Sequence, residues 1–251
     1  AGVALGTLIS QWLSFFVSVG LLFLNYSKLR KYLSFNNLWN KEELKRFFNV
    51  NRDIFLRTLF LVLVNLFFVA RGTRQGDLIL SANTLLMTFY TIFSYISDGF
   101  AYAGEALSGR YYGAKNIKVF NEIYTSLFKW GIGLALIFTL LYLVLGLPFL
   151  SIITNEEQVV LAAKDYMIWA AMIPIVGIAA FVYDGIFIGI TETRGMLISS
   201  FVAACLFFVV SISTATLLGN HGLWLAMLVF LGIRGLVQGI IMNKKIKTQW
   251  K

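Results

Sequence analysis

The 251-residue chain has one cysteine, one histidine and two prolines. The lone Cys205 excludes a disulfide framework and a cysteine-based metal site. The lone His221 lies in Gly-Asn-His-Gly-Leu between two apolar runs and is expected in a loop. With so few such groups, most hydrolytic and metal chemistry lacks its parts, and no metal site or resident cofactor is implied. Charge is scarce too: 13% of residues are charged, against about 25% in a soluble domain. The sequence shows no phosphate loop and no nucleophile–base pair. These shortages exclude a soluble globular enzyme. A disordered chain is excluded by what fills the space instead, since 59% of residues are hydrophobic and 23 are Phe. Mean hydropathy is +0.78. A soluble protein of this size cannot hide that much apolar surface. In lipid it need not. The composition implies an all-α polytopic membrane protein and not an enzyme.

What is present is a series of apolar runs of spanning length. About 20 residues at 1.5 Å rise cross roughly 30 Å of hydrocarbon. Helices are expected over residues 3–24, 54–70, 78–112, 119–147, 158–190, 196–218 and 223–242. Three of these seven exceed what a bilayer requires and should tilt or protrude. Pro148 is expected to stop the fourth and Pro174 to bend the fifth. The organisation reads as a leading helix over 1–24, a polar connector over 25–52, a six-helix lobe over 53–243 and a basic tail over 244–251. The connector includes an amphipathic interfacial segment at 41–48. No internal repeat is apparent.

The net charge of +9 is explained by loop placement. Lys28, Arg30, Lys31, Lys41, Lys45, Arg46, Arg52, Arg110, Lys115, Lys118, Arg194, Lys244, Lys245, Lys247 and Lys251 fall on one side. Arg71 and Arg74 fall on the other. The positive-inside rule puts the long connector and the C-terminus in the cytoplasm. No basic stripe interleaves with aromatics on a soluble face, so nucleic acid is not an implied partner. The chain opens on Ala1 without a basic segment before its first apolar run, unlike a signal peptide. An odd helix count starts it outside, which leads us to expect a further upstream portion.

Charges inside spans are expensive and usually functional or paired. On the third expected helix, Tyr95, Asp98, Tyr102, Glu105 and Gly109 step by three or four and share one face. A stripe of two Tyr and two acids must face a partner helix or a wet cavity. Either it forms a cation or proton pathway, or its acids pair with basic groups near the cytoplasmic end. Glu105 is closer to that end. On the fifth, Asp184 lies about 15 Å from Arg194 by helical rise. A carboxyl at that depth can exchange a proton or ligate a monovalent cation. Alternatively it pairs with Arg234, which falls within the last span. Arg57 is expected to pair locally with Asp53, four residues earlier. Lys129 is expected to snorkel. Asn65 and Asn83 are read as interhelical hydrogen-bonding groups. Gly109–Gly113, Gly185–Gly189 and Gly235–Gly239 allow close helix approach.

Several segments resemble multidrug and toxic compound extrusion (MATE) transporters, in particular the DinF-like branch. They are Gly2-Val-Ala-Leu-Gly-Thr-Leu-Ile-Ser-Gln11, Asn51-Arg-Asp-Ile-Phe-Leu-Arg-Thr58, Asp98-Gly-Phe-Ala-Tyr-Ala-Gly-Glu105, Gly109-Arg-Tyr-Tyr-Gly-Ala-Lys-Asn116, Asp184-Gly-Ile-Phe-Ile-Gly189 with Thr193-Arg194, and Gly222-Leu-Trp-Leu-Ala226. They run in order and cover essentially the whole chain. The resemblance implies a twelve-helix antiporter of two six-helix lobes around a central cavity. The seven helices would then be the sixth plus the whole C-terminal lobe, with the N-terminal lobe missing. It also implies export of amphipathic or cationic small molecules in exchange for H⁺ or Na⁺. In sodium-linked relatives an Asp on the tenth helix serves the cation site, and Asp184 matches that place. Such relatives also carry acids on the seventh helix. Residues 54–70 contain none, which favours proton coupling.

The expected function is therefore the C-terminal lobe of a cation-coupled, by preference proton-coupled, multidrug efflux antiporter in a bacterial cytoplasmic membrane. Asp184, Asp98 and Glu105 are the candidate coupling residues. Tyr95, Tyr102, Tyr183, Asn65 and Arg234 are the candidate cavity-lining residues. Two other readings stay open: a lipid-linked saccharide flippase or polysaccharide exporter of the same superfamily, and a non-transporting fragment.

Overall fold

In lipid, every backbone polar group must be satisfied within the segment, so long apolar runs become helices. A computed structural model describes residues 2–26 and 40–249. Among these, the helices are α1 (Gly2–Asn25), α2 (Lys41–Thr73), α3 (Asp77–Gly113), α4 (Ile117–Ile153), α5 (Glu157–Lys164), α6 (Met167–Gly189), α7 (Thr193–Ser213), α8 (Ala215–Leu218) and α9 (Asn220–Gln249). Seven are long and apolar enough to span a bilayer, and among the described residues no strand interrupts them. The protein is an all-α, multi-pass membrane protein.

The chain divides into two compact units, residues 1–48 and 49–251. In the first, α1 has no buried residue. It carries an aromatic cluster in which Trp12 stacks on Phe16 at 5.8 Å and meets Phe15 edge-on at 6.1 Å. Of the expected connector, Lys28, Arg30 and Lys31 lie outside the described residues, as does Lys251 of the tail.

The second unit is built around α6. Apart from Tyr183 and Asp184 that helix is apolar all round, the mark of a helix enclosed by others, and 72% of its spanning window is buried. It packs against α3, α4 and α9, and α9 packs in turn on α7. From α2, Phe67 meets Phe207 and Phe208 of α7, and Phe68 meets Trp224 of α9 edge-on at 5.0 Å. The outward surface stays apolar, with Leu140, Val144 and Ile152 of α4 exposed. This is the surface that lipid covers.

α3 and α6 cross in close contact, backbone against backbone. A methyl on Gly185 would overlap the Ala101 backbone, and one on Gly109 would come within 2.9 Å of the Gly189 carbonyl oxygen. Small residues on both helices permit this approach. Gly113 has nothing within 4 Å of where its Cβ would be, so the Gly109–Gly113 step works at one end only.

Helix boundaries differ from expectation in instructive ways. The helix α2 starts at Lys41, so residues 41–52 are its first turns rather than a separate interfacial piece. Pro148 does not stop α4, which runs on to Ile153, and α6 continues through Pro174. A spanning helix tolerates proline where neighbours compensate the lost donor. The expected fifth helix instead breaks at residues 165–166, dividing α5 from α6, and the sixth ends at Ser213 before the short α8. His221 is not in a loop. It occupies the first turn of α9, where its Nδ1 accepts a 3.0 Å hydrogen bond from Trp169 Nε1.

At one end of the unit, Asn83 and Asn220 exchange reciprocal amide hydrogen bonds of 2.8 Å, and Trp224 Nε1 donates to Asn83 Oδ1. At the other, Arg52 pairs with Asp53 at 3.0 Å, Thr193 Oγ1 reaches Asp53 Oδ2 at 3.5 Å, and Lys245 pairs with Glu192. The second set gathers α2, α7 and α9 at the end where basic residues concentrate.

Candidate functional site

Asp184 sits on α6 within its most enclosed stretch, where residues 181–187 are all buried. A carboxylate removed from water needs partners. Three side chains from two other helices supply them. Arg57 of α2 and Arg234 of α9 both place Nη2 on Asp184 Oδ2, the second at 3.2 Å. Gln238 of α9 donates its Nε2 to Oδ1 at 2.6 Å. Arg234 and Gln238 are one helical turn apart and therefore share a face. The Arg234 guanidinium also lies 5.6 Å from the Phe181 ring and 5.8 Å from Phe230, within cation–π range.

Two guanidiniums on one carboxylate leave an excess positive charge. Asp98 of α3 lies within electrostatic reach of both Asp184 and Arg57, and Tyr90 stands within reach of the whole group. Asp98 is half-buried. Among the described residues its carboxylate makes no ion pair or side-chain hydrogen bond. The cluster therefore contains two acids and two bases drawn from four helices.

The expected pairing of Arg57 with Asp53 is corrected. Asp53 is taken by Arg52, its immediate neighbour, which frees Arg57 to reach Asp184. The Asp184–Arg234 pairing is present. Among the described residues Asn65 makes no bond across helices: it donates to Leu61 O of its own helix at 3.0 Å. Tyr183 turns away from Asp184, and its hydroxyl sits 2.7 Å from that of Tyr124 on α4. There it lines a groove of about 480 Å³ with Phe128, Gly235 and Gly239. Tyr95 and Tyr102 are exposed, at 73% and 69%, on the side of α3 away from the core. Glu105 is half-buried, and its carbonyl crowds Gly189. The acids of α3 thus edge an open face of this unit, while Asp184 lies deeper.

Arg57, Gln238 and Tyr90 were not among the site residues that sequence reasoning put forward. For Gln238 a signal existed, since it is a polar residue one turn after Arg234 in an otherwise apolar run. For Arg57 the local partner concealed the distant one.

The sequence model of the MatE family matches residues 54–213, a stretch that holds Arg57, Asp98 and Asp184. The chain belongs to the MATE family. It is 36% identical over 243 residues to the DNA damage-inducible protein F of Escherichia coli (strain K12), covering 94% of this chain and 51% of that protein. It is 28% identical over 191 residues to Protein DETOXIFICATION 45, chloroplastic, of Arabidopsis thaliana, covering 71% of this chain and 32% of the relative. This MATE chain therefore spans about half the length of the bacterial relative and about a third of the plant one.

Proposed function

We propose that this chain is the C-terminal lobe of a MATE efflux antiporter, a transporter and not an enzyme, in which proton uptake drives release of an amphipathic or cationic small molecule. The observation that carries the reading is Asp184, a buried carboxylate held by Arg57 and Arg234 from two separate helices. Protonation would remove the anion that holds both bases. The packing of α2 and α9 against α6 then depends on the protonation state, which is what coupling requires. Asp98, partly open to the exposed face of α3, is the second candidate coupling group, and Glu105 the third. The lobe would rock against its N-terminal counterpart to give alternating access. The basic end would face the cytoplasm of a bacterial inner membrane.

Proton rather than sodium coupling is supported by the occupancy of the carboxylate. Both oxygens of Asp184 are engaged by donors, which leaves no room for the coordination shell of a sodium ion, whereas a proton needs only one oxygen's partner to turn. The saccharide-lipid reading gains Arg57 as a second base beside Arg234, but Asp184 engages both, so neither is offered to a phosphate.

The test is ethidium efflux by the full-length transporter containing this chain, in everted vesicles under an imposed pH gradient. Asp184→Asn should abolish gradient-driven efflux, and Asp98→Asn should weaken it. Efflux unchanged in both variants would reject the assignment. A sodium gradient that drives the native protein as well as a proton gradient would overturn the choice of ion.

A further inference from the structure

The two oxygens of Asp184 are not equivalent. Oδ2 receives both guanidiniums, and among the described residues Oδ1 receives only the Gln238 amide. A guanidinium has donors and no acceptor. A proton on Oδ2 would therefore point at groups that cannot receive it. A proton on Oδ1 meets Gln238, the one hydrogen-bonded partner that carries an acceptor as well as a donor.

That acceptor is in place and unused. Gln238 is fully buried, and its Oε1 has no hydrogen-bond partner among the described residues. A buried amide oxygen left unpaired carries a cost; turning the amide toward a protonated Asp184 satisfies Oε1 and leaves Nε2 as the unpaired end instead. Rotation of the amide about its last side-chain bond exchanges Nε2–H···Oδ1 for Oδ1–H···Oε1. The atoms balance: a proton arrives from water, one hydrogen bond is lost and one is formed, and Asp184 becomes neutral.

We propose that Gln238 is the positioning residue that receives the coupling proton's hydrogen bond, so that the proton resides on Asp184 Oδ1 and the amide turns over with each cycle. This rests on the reading of Asp184 as the coupling group. The other groups around Asp184 do not substitute. Arg57 from α2 and Arg234 from α9 only donate. Tyr90 and Asp98 from α3 act through space and make no hydrogen bond to it. Tyr124 of α4 is directed at Tyr183. The charged residues of α4 and α7, namely Lys118, Glu122, Lys129 and Arg194, are exposed. With the carboxylate neutralised, Arg57 is the freer base, since its side chain is 16% exposed against 2% for Arg234.

The experiment uses the full-length transporter with Gln238→Met, which keeps length and volume but neither donates nor accepts. The first readout is the pH profile of ethidium efflux. A hydrogen bond to a charged group is roughly twice as strong as one between neutral groups, so losing the amide costs the carboxylate more than the acid. The midpoint should rise by about half a pH unit or more. The second readout is the infrared difference spectrum on acidification. The native protein should show a protonated-carboxyl band, absent in Asp184→Asn, together with a glutamine amide change. In Gln238→Met the amide change should vanish and the carboxyl band should move to higher frequency. If Asp184→Asn leaves the profile and the band intact, the coupling assignment itself fails. If Asp184→Asn removes both while Gln238→Met matches the native protein in both, only the role of Gln238 is overturned. Should Gln238→Met not accumulate, Gln238→Asn withdraws the amide by one methylene, and an unmoved carboxyl band in that variant counts equally against the proposal.

Discussion

Arg57 rests its guanidinium on Asp184, 127 residues later in the chain, and leaves Asp53, one turn away on its own helix, to Arg52. This choice ties α2 to the centre of the lobe through charge. Breaking such a pair from one side leaves an unpaired buried charge, which costs about 3–5 kcal/mol, whereas removing both partners is far milder. Asp184→Asn is therefore expected to destabilise the full-length protein strongly. Asp184→Asn combined with Arg57→Gln should recover only part of that loss, because Arg234 stays buried without its anion. Thermal unfolding of the purified protein in detergent checks this as a double-mutant cycle. Strictly additive losses would show that the two side chains do not interact.

Gly185 against Ala101 is a backbone contact with no flexible side chain to give way. Gly185→Ala should separate α3 from α6 and abolish accumulation of folded protein, read by size-exclusion chromatography of a fluorescent fusion. Gly133 of α4 has nothing within 4 Å of where an added methyl would sit, so Gly133→Ala should stay within about 1 kcal/mol of the native protein. Equal behaviour of the two variants would contradict the crossing.

Asn83 serves two buried neighbours, Asn220 and Trp224. Truncation strands donors on both, at about 1–3 kcal/mol each. Asn83→Ala should therefore lower the melting temperature more than Asn65→Ala, whose amide bonds only within its own helix. Equal shifts would deny that the Asn83 network ties α3 to α9.

His221 accepts from Trp169 and packs on Tyr166, with ring centroids 4.7 Å apart. His221→Leu keeps bulk but removes the acceptor, for an expected loss of about 1 kcal/mol. The Trp169 contribution to fluorescence, taken as the difference between the protein with Trp169 and its Trp169→Phe variant, should change on His221→Leu. An unaltered spectrum would mean that the indole is not held by this ring.

The number and class of spanning helices were legible because lipid makes hydropathy nearly sufficient for them. The acidic face of α3 was legible from spacing alone. The core of the site was readable only in half. Asp184 with Arg234 follows from two charges at similar depth, but Arg57 had a chemically sensible partner within one turn, and no local rule says that Arg52 claims it. Pro148 misled for a related reason. Its effect on a helix depends on what neighbours offer the freed carbonyls, which is a property of the packed bundle. The break at residues 165–166 has no comparable local mark.

Where two helices touch main chain to main chain, as α3 and α6 do at Gly185 and Gly189, no rotamer change can absorb a shift between them. Asp98 and Asp184 are consequently carried on two helices whose separation is set by backbone contact. The tie to α2 is of another kind: it reaches the buried carboxylate through the Arg57 side chain, whose rotamers can change.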